Sequence, residues 1–177
     1  MMLIPSMYTN LIDFFSLSAS EVGLIFGIVS FCFGVGSLPM SFLYNKYGPK
    51  KLIVFSQLGI FISALLVSIS NNVLMFSFSS IILGLFASIH HPVSLTLISE
   101  TFDKDIAKAN AFHGVFGSIG VSLGPLISFF SLLHFSWHYA FMFTAILNAF
   151  LLPLSFKFIP NTEKMNIISS NDFKDKR

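Results

Sequence analysis

The sequence predicts an all-α integral membrane protein, with five complete transmembrane helices and a partial first helix ahead of them. Three observations point there. Charged residues make up 10% of the 177 positions and hydrophobic ones 54%, with a mean hydropathy of +0.81. A soluble domain carries about 25% charged residues, so this chain has too few to cover a globular surface. Five apolar runs each reach the roughly 17–25 residues that cross a bilayer, with no Asp, Glu, Lys or Arg in their interiors. Finally, all ten Lys and Arg fall on connections of one parity. Backbone groups in lipid must be bonded within their own segment, which selects helices, and the period-two alternation of a barrel is absent. A net charge of +2 gives no reason to expect a nucleic-acid partner. The single Cys32 excludes an internal disulfide and a thiolate metal cluster.

The elements follow in order. Met1–Phe15 is apolar but short, about 22 Å as a helix against a hydrocarbon core of about 30 Å. It lacks the basic start and the cleavage site of a signal peptide. It reads as the outer part of a first helix whose beginning is missing, with an interfacial amphipathic stretch as the alternative. The complete spans are Val22–Leu43, Leu52–Ile69, Val73–Ile98, Asn110–Leu133 and Trp137–Phe158. Lys46, Lys50 and Lys51 follow the first, Lys104 and Lys108 the third, and Lys157 and the tail lysines end the fifth. The opposite connections carry no Lys or Arg, so the positive-inside rule puts the basic turns and the C-terminus in the cytoplasm. Residues 1–160 are expected to form one transmembrane helical bundle. Residues 161–177 lose hydrophobicity and gain charge, and read as a poorly ordered cytoplasmic linker or tail.

Four motifs carry a family resemblance. The turn from Ser41 to Lys51, SFLYNKYGPKK, with Asn45, Lys46, Gly48 and Lys50 at its key positions, resembles the signature loop G-x-x-x-D-R-x-G-R-R of the major facilitator superfamily. Asn45 stands where the family has Asp, and Lys46 where it has Arg, so the ion pair of the family's gate is not available here. In the fourth span, Gly117, Gly120, Gly124 and Pro125 resemble the G-x-x-x-G-P helix-packing signature, since small residues three or four apart share a face and admit a close neighbour. Ser136-Trp137-His138 resembles the W-R start of the sixth helix, with His138 for Arg. His91-Pro92 in the third span resembles a fosmidomycin-resistance-like efflux branch. The resemblance implies half of a twelve-helix facilitator fold, in a bacterial cytoplasmic (inner) membrane, with the substrate between two halves.

Chemistry has few candidates. His90, His91 and His113 are the ionisable groups inside the spans, and such groups in lipid are costly and usually functional. His91 lies about 13 Å, and His113 about 12 Å, from the basic end of its helix. The two could meet across neighbouring helices and relay protons. A neutral histidine bonded to a neighbouring backbone is the plainer alternative. No H-E-x-x-H or H-x-x-E-H pattern, P-loop or nucleophile triad is present, so no enzyme activity, catalytic residue, metal or cofactor is expected. With no Lys or Arg inside a span, the expected substrate is small and neutral or apolar. The expected partners are the bilayer and a C-terminal half encoded separately. The function expected is secondary active transport by a truncated or split form. The alternatives are a non-transporting membrane protein acting through helix association, and an inactive fragment.

Overall fold

The computed structural model describes residues 3–102 and 104–159. The tail expected over 161–177 lies outside them. Among the described residues eight helices follow one another: α1 Leu3–Ser6, α2 Tyr8–Phe15, α3 Ala19–Ser37, α4 Met40–Tyr47, α5 Pro49–Ser68, α6 Val73–Thr101, α7 Ile106–His134 and α8 Trp137–Phe158. No strand occurs among the described residues. The helices long and apolar enough to span a membrane are α3, α5, α6, α7 and α8, as expected.

Helix boundaries have local chemical causes. α3 starts three residues before the expected span because Ser18 and Glu21 form a capping box: the Ser18 backbone N–H donates to the Glu21 carboxylate at 2.8 Å, and the Glu21 N–H donates to Ser18 Oγ at 3.3 Å. The span expected as one helix over Val22–Leu43 is instead broken at Leu38 and Pro39. Pro39 has no N–H to continue the ladder, and Leu38 N–H bonds only three residues back, to Val35 O at 3.1 Å. At α6 the Asn72 carboxamide oxygen accepts from Met75 N–H at 2.8 Å, which fixes the start at Val73.

α6 packs against α3 and α5, and α8 packs against α5. Three glycines let α6 in, one of them Gly36 of α3, where an added Cβ would sit 2.4 Å from Ser88 Oγ. At Gly84 an added Cβ would sit 2.9 Å from the Val29 carbonyl of α3, and at Gly59 of α5 it would sit 2.1 Å from the Phe86 ring. Leu3 and Ile4 of α1, Leu11 of α2 and Met7 between them are buried with Val22, Val29, Phe76 and Trp137, so this segment packs into the bundle interior. A second apolar cluster at the other end joins Met40, Tyr44, Leu52, Ile53, Ile89 and Val93. α7 stands apart: Gly124, Ser128 and Ser131 are its buried residues.

Candidate functional site

The two ends of the bundle are fixed by different contacts. At the basic end, the Tyr44 hydroxyl donates to the Glu100 carboxylate at 2.5 Å, joining α4 to the last turn of α6. Burial first, and then the Glu100 carboxylate, push the phenol above its ordinary pKa, so Tyr44 keeps the proton it donates. Lys50 Nζ sits 6.0 Å from the centre of the Phe156 ring, bringing the start of α5 beside the end of α8. At the opposite end His138 stacks on Trp137 with ring centres 3.8 Å apart. Its Nε2 faces the Ser70 carbonyl at 3.2 Å and its Nδ1 faces the Ser136 hydroxyl at 3.2 Å. The carbonyl can only accept, so Nε2 carries the proton and the serine donates to Nδ1. His138, in the arginine's place, thus ties the α5–α6 turn to the start of α8.

Asn45 and Lys46 lie exposed in the last turn of α4, with Lys46 Nζ 5.1 Å from the Tyr47 ring centre. Gly48 stops that helix at φ 78°, ψ 161°, a region open essentially to glycine alone, and Pro49 then opens α5 with Lys50 beside it. The contact between helix ends falls to Tyr44, the residue before Asn45. Sequence reasoning missed that pair. The available signal was that Tyr44 and Glu100 both sit at basic-side ends of their spans.

In α7, Gly117 and Gly120 would meet nothing within 4 Å if given a Cβ, whereas Gly124 is buried and Pro125 is exposed. No helix of this chain among the described residues packs on the Gly117–Gly120 face. Beside it, α7 and α8 enclose a groove of about 530 Å³ lined by Leu126, Phe130, Phe135, Tyr139, Met142 and Ile146. None of the three candidate histidines lines that groove.

The histidines divide. His91 Nδ1 and His113 Nε2 are 3.4 Å apart, with ring centres at 5.4 Å and planes inclined by 25°. His91 is exposed and His113 partly so. His90, about 100° further round α6, does not join this contact. Pro92 directly follows: it leaves the Ser88 carbonyl without its helical donor, and Thr96 Oγ1 donates back to the Pro92 carbonyl at 3.0 Å. The arrangement brings two imidazoles on separate helices within reach of one shared proton, and no group of three or more His, Cys, Asp or Glu able to hold a metal occurs among the described residues.

The profile of the Major Facilitator Superfamily matches residues 1–174. The chain is 27% identical over 139 residues to a probable L-galactonate transporter of Escherichia coli K12, covering 76% of this chain and 30% of that protein. It is 32% identical over 131 residues to the class H tetracycline resistance protein of Pasteurella multocida, covering 73% and 32%. It is 26% identical over 141 residues to a probable nitrate transporter of Staphylococcus epidermidis, covering 77% and 35%. The matched region thus spans about a third of the length of each of these relatives.

Proposed function

Because the chain belongs to the major facilitator superfamily, we propose that it serves as the N-terminal half of a secondary active transporter moving a small solute across a bacterial inner membrane. The observation that carries this is the family match running over residues 1–174, nearly the whole chain. A half-bundle has one wall of a midplane site and cannot alternate access by itself. The second half is supplied by further sequence or by a separate chain, and it covers the Gly117–Gly120 face of α7. The names of the relatives span galactonate, tetracycline and nitrate, so they fix no solute here. The uncharged span interiors favour a neutral or apolar one, and His91-Pro92 favours the fosmidomycin-resistance-like branch.

Coupling runs through the His91 and His113 pair. A proton taken by one imidazole is passed to the other across the 3.4 Å contact, linking α6 and α7 to the proton gradient. The Gly48 turn, with Asn45, Lys46 and Lys50, is the hinge between α4 and α5, and Tyr44 with Glu100 replaces the family's ion pair. The bare small-residue face of α7 supports a second reading, a non-transporting protein that works by helix association.

The test is solute uptake into vesicles under an imposed pH gradient, with this chain co-expressed with a six-helix second half. Gradient-driven uptake is expected, and His91→Ala should flatten its dependence on pH. A complex that assembles but moves no solute would leave helix association as the function. Uptake with an unaltered pH profile in His91→Ala would remove the histidines from coupling.

A further inference from the structure

We propose that His91 and His113 also form a binding site for a borderline transition-metal cation of the zinc class, bridging α6 and α7. The geometry is the argument. A tetrahedral zinc ion with Zn–N bonds of about 2.0–2.1 Å spaces its ligand nitrogens by about 3.3–3.4 Å. His91 Nδ1 and His113 Nε2 already stand 3.4 Å apart, so the helices need not move to hold such an ion. The rings come from different helices, and their planes differ by only 25°.

Tautomers settle what must change. In the present contact one of the facing nitrogens carries a proton and the other accepts it. To bind the ion, both must present lone pairs, so the donating ring carries its proton on its far nitrogen instead. Ligation uses the neutral form of each imidazole. His91 is exposed on the surface of this chain, and no other helix of it covers the ring among the described residues. Because no third His, Cys, Asp or Glu completes a metal-holding group among the described residues, two coordination positions remain for water or an oxygen of a solute. Imidazole ligands favour Zn²⁺, Ni²⁺ and Cu²⁺ over hard cations such as Mg²⁺. The ion, where bound, excludes the shared proton and locks α6 to α7.

The experiment is calorimetric titration of zinc chloride into the purified full chain in detergent. It needs no transport activity, so its outcome is independent of the uptake assay. One zinc per chain is expected, undisturbed by excess magnesium. His91→Ala and His113→Ala should each weaken binding at least tenfold, with His134→Ala as the unchanged control. Helical circular dichroism and elution volume check folding. If an alanine variant fails to fold, His91→Cys with His113→Cys provides a second measurement: the pair should bind cadmium with ultraviolet thiolate-to-metal absorption. No zinc bound by the wild-type chain, zinc bound equally well by the double alanine variant, a loss in His90→Ala as large as in His91→Ala, or a folded cysteine pair without cadmium absorption would each overturn the site.

Discussion

Tyr44 shows at the scale of one residue how the molecule departs from the pattern that its loop resembles. Asn45 cannot make an ion pair, and it is exposed. The neighbouring Tyr44 is 5% exposed and donates a charge-assisted bond to Glu100. Hydrogen bonds to charged groups contribute about 1.5–3 kcal/mol. Tyr44→Phe keeps the ring in its cluster and removes that bond, so it should lower stability by about that amount in a thermal or denaturant melt. Glu100→Gln, which keeps an acceptor, should cost less. A melt unchanged by Tyr44→Phe would show that the contact contributes nothing at this end. Much of the local chemistry was legible beforehand: Gly48-Pro49 had to stop one helix and open the next, whatever the tertiary fold. The Tyr44 to Glu100 contact was not, because the two residues lie far apart in sequence and only the packing of α4 on α6 brings them together.

The elements show the same division. Hydropathy located every complete span, because lipid tolerates only long apolar runs. It erred where a single residue decides: the run Val22–Leu43 is continuous in hydropathy, yet Pro39 divides it into α3 and α4. The facing of helices was also hidden, since spans that are apolar all round carry no amphipathic stripe to show which side is packed. Depth along α6 and α7 put His91 and His113 at similar levels, but rotation about the helix axis determined that His91, rather than His90, meets His113. Close approach of α6 to α3 rests on Gly84. Gly84→Ala places a methyl carbon against the Val29 carbonyl, a backbone atom that cannot rotate away. Overpacking of this kind costs about 1–3 kcal/mol, and Gly117→Ala on the open face of α7 should be close to neutral in the same melt. Equal losses for the two would contradict the packing of α6 on α3.

For the whole molecule the testable quantity is sidedness. The contacts of Tyr44 with Glu100 and of Lys50 with Phe156 gather the α4–α5 turn, the end of α6 and the end of α8 at one end. His138 and Ser70 gather the other turns at the opposite end. Cysteines introduced at Lys50 and Lys104 should therefore react with an impermeant thiol reagent from the same face of sealed vesicles, and one at Asn71 from the other face. Labelling of Lys50 and Lys104 positions from opposite faces would refute the arrangement.

One plain dimension has a further effect. α6 and α7 are each 29 residues long and α5 is 20. At about 1.5 Å per residue the longer pair measures about 43 Å and α5 about 30 Å. Upright, α5 matches a hydrocarbon slab of about 30 Å, while its longer neighbours overshoot it. The mismatch is relieved by leaning, or by a local thickening of the lipid around them. Short-chain lipids would strain α6 and α7 before α5, and would do so at the two helices that present the paired imidazoles.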